Sequence, residues 1–306
     1  MIVVFGSINI DLIGHAPTLM RPGETVLGTG LEFSPGGKGG NQALAASRAG
    51  ADVKMVGCVG GDDFATRALA LLSEAEIDLS GVRRMDRHTG TALIIVDDAG
   101  ENMITVLPGA NSRLTAAALE QAGIAEGDYL LLQLETPIEG VLAAAALAQE
   151  NGATVVLNLA PFMDFDLALL KNVDVLVVNE TELAGVLEML DAPKLDEADA
   201  VSWLSDKFGN TVVATLGSRG AISVAAGSMT TVPSLKIKPV DTVGAGDTFV
   251  GYLSAGLAEG MTLSSAMERA SVAAGLACLT PGAQPSIPER AAVEDRLALG
   301  VASEAQ

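Results

Sequence analysis

The sequence contains few of the residues on which common catalytic schemes depend. It has two histidines, His15 and His88, and neither lies in a GxSxG, HExxH or Cys/His setting. Triad hydrolases and zinc enzymes are therefore disfavoured. The two cysteines, Cys58 and Cys278, have no CxxC spacing and lie in apolar runs. This usage indicates buried thiols in a reducing compartment.

The chain also lacks an excess of basic charge and the glycine signatures of two nucleotide-binding folds. It carries 38 acidic and 18 basic residues, a formal charge of −20 that repels a nucleic-acid backbone. No GxxxxGK precedes a hydroxyl residue and no GxGxxG follows the first strand, which disfavours Walker-type and dinucleotide-binding folds. No uninterrupted apolar run is long enough to span a membrane, and the N-terminus lacks the charged region of a signal peptide. The sequence therefore predicts a soluble cytoplasmic protein with neither nucleic-acid nor membrane partners.

Runs rich in valine and isoleucine alternate with alanine-rich helical patterns along most of the chain. The runs are apolar throughout, which is typical of a mostly parallel sheet covered by helices on both faces. One helix is predicted over about 64–75. A predicted β-hairpin within 91–107 interrupts the alternation. We predict a single α/β domain over residues 1–306 with a small β lid, whose strands come from about 12–34 and 91–107.

The segment Gly244-Ala-Gly-Asp-Thr-Phe249 predicts a tight turn that opens a helix. The first N–H groups of a helix have no partner within it, so they form a site for an anion such as phosphate. Asp247 among these groups could accept a proton from a hydroxyl held beside the anion. It could equally be an N-cap on a glycine-rich turn, and this segment alone does not separate the two interpretations.

Polar residues follow several predicted strands, at the sheet edge where open α/β folds bind ligands. Asn9 and Asp11 share one face after the first strand, although a turn that bonds its own backbone explains them as well. In the run Gly36–Asn41, glycines flank Lys38 at a helix start, which indicates close approach of a ligand to the backbone. Glu135 ends another apolar strand, either as a site residue or as a solvated loop carboxylate.

Two further segments have a structural and a functional interpretation. Asn179-Glu-Thr-Glu182 has the spacing of a capping box, in which the two side chains bond each other's backbone N–H. Alternatively, Glu182 orients water around Mg²⁺ on nucleotide phosphates, because Mg²⁺ retains waters and uses one or two carboxylates. The segment Thr215–Gly220 is either a plain turn after a strand or a loop that contacts a nucleotide.

Taken together, six segments resemble the ribokinase family of sugar kinases. Each motif alone is weak evidence, but the match continues in order from residue 3 to about 290. The segments are Gly36–Asn41, Gln133–Pro137, Asn179–Glu182, Thr215–Gly220, Asp241–Phe249 and Gly282–Ser286. The resemblance implies a parallel α/β domain with a β lid over a sugar, and ATP at the carboxyl ends of the strands.

The resemblance also implies roles for individual residues. The sugar would contact Asn9, Asp11, Gly37, Lys38, Asn41, Glu135 and the catalytic base Asp247. The nucleotide would contact Asn179, Thr215, Gly217, Gly220, Gly246 and Ser271, with Glu182 acting through Mg²⁺. The anion hole would consist of Gly244, Ala245 and Gly246. A monovalent cation, K⁺, would bind at Asp241, Val243, Ala277, Thr280, Gly282 and Ser286. Val243 and Thr280 depart from the side chains expected there, which is harmless if these positions supply backbone carbonyls.

These roles imply an ATP-dependent kinase that phosphorylates the primary hydroxyl of a sugar, with D-ribose as the expected substrate. Deoxyribose, fructose, a keto-deoxy sugar acid and a nucleoside remain alternatives, although the scarcity of aromatic residues disfavours a pocket for a nucleobase. A sugar-sensing protein without catalysis is the alternative from another class, and Lys38, Glu182 and Asp247 argue against it. The apolar run Ala92–Val96, in a hairpin outside the main sheet, predicts a homodimer formed through the lid.

Overall fold

Thirteen strands and ten α-helices lie within residues 1–300, which the computed structural model describes; residues 301–306 of the predicted domain lie outside the described residues. The strands are β1 (Ile2–Phe5), β2 (Asn9–Ala16), β3 (Gly30–Gly36), β4 (Val53–Gly60), β5 (Asp78–Met85), β6 (Gly90–Asp97), β7 (Asn102–Leu107), β8 (Tyr129–Leu132), β9 (Thr154–Asn158), β10 (Val175–Asn179), β11 (Thr211–Thr215), β12 (Ala221–Ala225) and β13 (Ser228–Val232). The helices are α1 (Lys38–Arg48), α2 (Asp63–Ala68), α3 (Ala70–Glu74), α4 (Ala116–Ala122), α5 (Ile138–Glu150), α6 (Glu180–Met189), α7 (Glu197–Phe208), α8 (Ala245–Ala258), α9 (Leu263–Ala277) and α10 (Arg290–Ala298).

The main sheet has nine strands in the order β13-β12-β11-β10-β9-β8-β1-β4-β5. The strands from β11 to β5 are all parallel, and only β12 and β13 are antiparallel to their neighbours. Successive side chains of a strand point to opposite faces, so Ile2 and Val4 join one apolar cluster while Val3 and Phe5 join the other. The prediction of a mostly parallel sheet with helices on both faces is confirmed.

A second sheet of four strands, the lid sheet, has the order β3-β2-β6-β7 and is formed by both segments of the predicted lid. Within it β2 pairs with β6 in parallel, while β3 and β7 are antiparallel edge strands. Only residues 6–8 separate β1 from β2, so the chain passes directly from the centre of the main sheet into this second sheet. The residues of that connection therefore lie where the two sheets meet.

Two elements differ from the pattern that the sequence predicts. The helix predicted over 64–75 is two short helices, α2 and α3, and Leu69, with φ −95° and ψ −2°, ends the first and begins the second. The strand β5 was not predicted. It forms the outer edge of the main sheet and only Gly81 in it is buried, so it lacks the apolar run of a central strand. No helix among residues 1–300 is long and apolar enough to cross a membrane.

Candidate active site

The carboxyl ends of the parallel strands meet at one edge of the main sheet, beside the starts of α1 and α8. Glu135 follows β8, Asn158 ends β9, Asn179 ends β10 and Thr215 ends β11. Because these strands are neighbours in the sheet, their polar ends lie in one row. The residues predicted on separate segments are thereby brought to one site.

The Asp247 carboxylate, in the first turn of α8, accepts hydrogen bonds from two amides of α1. Asn41 Nδ2 donates to its Oδ2 at 2.9 Å, and Gln42 Nε2 donates to its Oδ1 at 2.9 Å. The N-cap position of α8 is occupied by Gly244, in the left-handed conformation with φ 76°, without a side-chain hydrogen bond to the cap. Asp247 is therefore not the N-cap of α8, and its buried carboxylate is free for another role.

The glycine-rich start of α1 packs against the connection between β1 and β2. A Cβ atom at Gly37 would lie 2.8 Å from the backbone N of Asn9, and one at Gly39 would lie 2.6 Å from the backbone N of Ser7. Gly37 also has φ 86°, a backbone conformation that residues with a Cβ atom rarely adopt. The sequence predicts that a ligand lies close to these glycines. At Gly37 and Gly39, the group that lies close is instead the protein's own backbone.

Glu135 fixes the start of α1 instead of extending into solvent. Its Oε2 accepts hydrogen bonds from Ser7 Oγ at 2.6 Å and from the backbone N–H of Lys38 at 3.0 Å. Ser7 Oγ in turn accepts a hydrogen bond from the backbone N–H of Gly39 at 3.3 Å. Glu135 is therefore an anchored carboxylate at the site, and the interpretation as a solvated loop residue is wrong.

Asn9 and Asp11 begin β2 and lie beside these groups. The Oδ1 of Asn9 accepts a hydrogen bond from Asn111 Nδ2 at 2.7 Å, so Asn9 is held by a residue far along the chain and not by its own turn. Burial, together with the nearby carboxylates of Glu135 and Asp247, raises the pKa of Asp11 to about 7. Asp11 is thus a carboxyl whose charge is costly at neutral pH.

Among residues 1–300, Lys38 is the one cation that lines the smaller of two adjoining cavities, about 220 Å³ in volume. Burial lowers the pKa of its ammonium group, but the carboxylates of Asp247, Glu135 and Glu182 outweigh burial and raise it above its usual value. Lys38 therefore stays protonated among carboxylates. It shares this cavity with Asn179, Glu182 and Asp247.

The larger cavity is a cleft of about 740 Å³ beside the first turn of α8. Thr215 and Gly246 line both cavities, so the cleft and the smaller cavity adjoin. The cleft is also lined by the predicted nucleotide residues Gly217, Gly220 and Ser271. Together the two cavities place every predicted nucleotide residue on one continuous surface.

Asn179 and Glu182 form the capping box that their spacing predicts. Asn179 Oδ1 accepts a hydrogen bond from the backbone N–H of Glu182, and Glu182 Oε2 accepts one from the backbone N–H of Asn179, each at 2.8 Å. Burial raises the pKa of Glu182, while the hydrogen bond from Asn179 and the charge of Lys38 oppose that shift. Since Glu182 also lines the smaller cavity, capping does not preclude a role beside phosphate.

The comparisons with known proteins agree with this architecture. The model of the pfkB family carbohydrate kinases matches residues 1–290. The chain belongs to this family. Ribokinase of Haemophilus influenzae is 37% identical over 292 residues, which cover 94% of this chain and 95% of that one. A crystal structure of ribokinase from Thermotoga maritima superposes with a TM-score of 0.91 at 32% identity, covering 97% of this chain and 99% of that one.

A structure of Arabidopsis thaliana ribokinase complexed with ribose and ATP is also similar. Its TM-score is 0.87 at 28% identity, and the match covers 97% of this chain and 98% of that one. Family membership and the likeness of fold over almost the whole chain make this protein an ATP-dependent carbohydrate kinase.

In this kinase the two loops predicted to hold a monovalent cation lie side by side. Asp241 Oδ1 accepts a hydrogen bond from the N–H of Val243 at 3.0 Å, and its Oδ2 accepts one from the N–H of Gly282 at 2.8 Å. The Ser286 hydroxyl is buried and donates to the carbonyl of Ala283 at 2.8 Å. A Cβ atom at Gly244 would lie 2.9 Å from Ala283 Cα, so the second loop also contacts the turn before α8. The other two predicted cation residues, Ala277 and Thr280, lie at and just after the end of α9, where the Thr280 N–H donates to the Ala277 carbonyl at 3.3 Å.

Several residues of the kinase site were not predicted, and one predicted residue has an unexpected contact. Ser7 bonds Glu135, Gln42 bonds Asp247, and Asn158 bonds Gln42, although the sequence predicts no role for any of these three. Ser271 donates its hydroxyl hydrogen to the Pro233 carbonyl at 2.7 Å and so holds the wall of the cleft.

Proposed function

We propose that this kinase transfers the γ-phosphoryl group of ATP to the primary hydroxyl of D-ribose and forms D-ribose 5-phosphate. The observation that carries the proposal is the position of Asp247. Its carboxylate is buried in the first turn of a helix, at the wall of a cavity that adjoins a nucleotide-sized cleft. The proposed base thus lies beside the start of a helix that can bind an anion, and phosphoryl transfer needs both groups.

Asp247 acts as the base that accepts the proton of the attacking hydroxyl. The amides of Asn41 and Gln42 each bond one of its oxygens, and each oxygen keeps a second lone pair for the substrate. The Ala245 N–H donates to the Thr242 carbonyl at 3.3 Å, and the other backbone N–H groups of residues 244–247 would face the transferred phosphoryl group and stabilise its charge in the transition state. Lys38 adds a positive charge from the same cavity.

The described residues fit a magnesium ion that arrives with the nucleotide. Residues 1–300 contain no group of three or more His, Cys, Asp or Glu that could hold a metal by itself. Glu182 offers one buried carboxylate in the smaller cavity, which suits an ion that retains waters and binds phosphates. When bound there, Mg²⁺ neutralises charge on the phosphates. Thr215, Gly217 and Gly220 line the cleft in which the nucleotide lies.

A small polyhydroxylated sugar fits the polar groups on the lid side of Asp247. The Oδ1 of Asn41 is buried without a hydrogen-bond partner among residues 1–300, and a sugar hydroxyl supplies the missing donor. Asp11 lies near Glu135 and Asp247, and the Gly37 carbonyl accepts the Asn41 N–H at 2.9 Å. The sugar would contact these residues together with Asn9. The kinase would discriminate against deoxyribose through such groups, because a buried acceptor left without its donor costs free energy.

A monovalent cation, K⁺, would bind between the loops that Asp241 joins. Its ligands would be backbone carbonyls at 243, 277, 280 and 282, with the Asp241 carboxylate and the Ser286 hydroxyl. Oxygen donors of this kind suit a weakly hydrated cation, and the adjacency of the two loops supports the site. The ion would hold the turn before α8 in the shape that presents its N–H groups to phosphate. We further propose a homodimer formed through the lid sheet.

The test is an assay of ADP release with ATP and a panel of substrates, namely D-ribose, deoxyribose, fructose, a keto-deoxy sugar acid and nucleosides. The proposal expects the highest kcat/KM with D-ribose. A higher kcat/KM with another member of the panel would reassign the substrate within the family. Binding of ribose without any ADP release would identify a sugar-sensing protein and overturn the proposal.

A further inference from the structure

The helices α1 and α8 cross closely next to the site because α8 has a glycine at the crossing. A Cβ atom at Gly251 would lie 2.5 Å from Ala45 Cβ and 2.7 Å from the carbonyl oxygen of Gln42. Gly251 follows Asp247 by four positions, so the two residues share one face of α8. The close crossing therefore brings the first turn of α1 against the Asp247 carboxylate.

The Gln42 side chain is completely buried at this crossing, and its amide is fully bonded. Its Oε1 accepts a hydrogen bond from Gln133 Nε2 at 2.7 Å. Its Nε2 donates both hydrogens, to Asn158 Oδ1 at 3.0 Å and to Asp247 Oδ1 at 2.9 Å. Since Gln133 needs an acceptor and Asn158 and Asp247 need donors, the amide has one favourable orientation.

We infer that Gln42 is a positioning residue for phosphoryl transfer, which fixes the plane and position of the Asp247 carboxylate through a buried amide relay from Gln133 and Asn158. The inference rests on the proposed role of Asp247 as base. Gln42 differs from its neighbour Asn41, whose free Oδ1 is available to the sugar. Gln42 touches Asp247 but has no exposed surface with which to touch a substrate.

A carboxylate held by one donor can still rotate about its last side-chain bond. Asn41 bonds Oδ2 and Gln42 bonds Oδ1, so the two donors together restrict that rotation. Efficient proton transfer needs the base within hydrogen-bond reach of the hydroxyl, and a misplacement of about 1 Å costs roughly 10²-fold in rate. Loss of the Gln42 amide should therefore lower kcat and leave the binding of sugar and ATP almost unchanged.

The test compares Gln42→Met, which keeps the side-chain length but removes both donors, with the unmodified enzyme. We expect kcat to fall about 10- to 100-fold while the KM values for ribose and ATP change by less than about 3-fold. Asn210→Leu is the matched control. The Asn210 amide is also buried, and it donates to the Leu170 and Val173 carbonyls at 2.9 and 2.7 Å. Asn210 directly precedes β11, however, and so lies at the amino ends of the parallel strands, whereas the site lies at their carboxyl ends. This control should lower Tm and retain kcat.

A double-mutant cycle with Asp247→Asn separates this inference from the proposed function. If Gln42 acts through Asp247, Gln42→Met should lower kcat of the Asp247→Asn enzyme by less than about 3-fold. Full additivity, or a folded Gln42→Met enzyme with unchanged kcat, overturns the inference. Near-normal kcat for Asp247→Asn alone would instead overturn the base assignment. If Gln42→Met does not fold, Gln42→Asn withdraws the amide by one methylene and is read by the same criteria.

Discussion

At Asp11, the proposed role in binding the sugar opposes the stability of the fold. Burial, followed by the charges of Glu135 and Asp247, raises its pKa from 3.8 to about 7 in the folded chain. In the unfolded chain the Asp11 carboxyl ionises near the lower pKa of 3.8. Ionised Asp11 therefore costs folding free energy, and this cost grows as pH rises from about 4 to about 7 and is constant above that range.

The variant Asp11→Asn should accordingly be more stable than the parent at pH 8. The gain in Tm should shrink as pH falls from 7 to 4, because the parent then carries a protonated Asp11 in the folded state. The KM for ribose should rise, since the carboxylate acceptor is lost. Thermal melts of both proteins across this pH range provide the measurement. A gain of equal size at pH 8 and pH 4, or a lower Tm at pH 8, would refute the assignment.

Among single residues, substitution of Asp247 is expected to lower kcat the most. Asp247→Asn keeps the shape of the side chain but removes its basicity, so kcat should fall by roughly 10²–10⁴. The affinity for ATP should change little, because the backbone N–H groups at the start of α8 remain. Steady-state kinetics together with nucleotide binding measure both quantities. An Asp247→Asn enzyme with a lower Tm and a normal kcat would show that the carboxylate has only a structural role.

The candidate site residues Asp247 and Lys38 could be proposed from the sequence, while Gln42, which bonds Asp247, could not. Asp247 and Lys38 lie in short glycine-rich segments, and the residues of each segment alone indicate the chemistry proposed for it. Gln42 bonds Asp247 at a separation of 205 positions and Asn158 at 116. No local pattern specifies such a pairing, because it depends on the crossing of α1 with α8 and on the order of the strands.

At the scale of elements, local signals were reliable where an element is buried on both faces. Strands such as β8 and β10 are continuous apolar runs, of the kind from which the sequence predicts a parallel sheet. The edge strand β5 has polar residues on much of its length, and the break between α2 and α3 lies at an ordinary leucine. Neither has a local signature, since the neighbouring elements and not the sequence pattern determine them.

The pair of loops around Asp241 should make the kinase respond to potassium. K⁺ should raise kcat above its value in Na⁺ or in a bulky organic cation at equal ionic strength. Asp241→Ala should abolish that dependence and leave a slower enzyme, because both loops lose the carboxylate that joins Val243 and Gly282. Initial rates in the three salts measure the effect. Equal rates of the parent enzyme in all three would mean that protein contacts alone hold the turn before α8.

At the scale of the whole molecule, the lid sheet exposes apolar side chains that a second copy would cover. Leu31, Met103 and Ile104 are 59%, 48% and 54% exposed, and β3 and β7 leave two unpaired edges. Light scattering at micromolar concentration should therefore give twice the chain mass. Ile104→Glu should shift the protein toward the monomer, whereas Met229→Glu, at a similarly exposed position on the main sheet, should not. A monomeric parent protein would contradict the proposed dimer.

The most direct measurement for the whole account is identification of the product formed from ATP and D-ribose. Asp247, the start of α8 and the adjoining cleft are expected to deliver phosphate to the primary hydroxyl. Phosphorus NMR of the reaction mixture should therefore show D-ribose 5-phosphate forming in equal amount to ADP. ADP accompanied only by inorganic phosphate, or a ribose phosphorylated at another hydroxyl, would contradict the account.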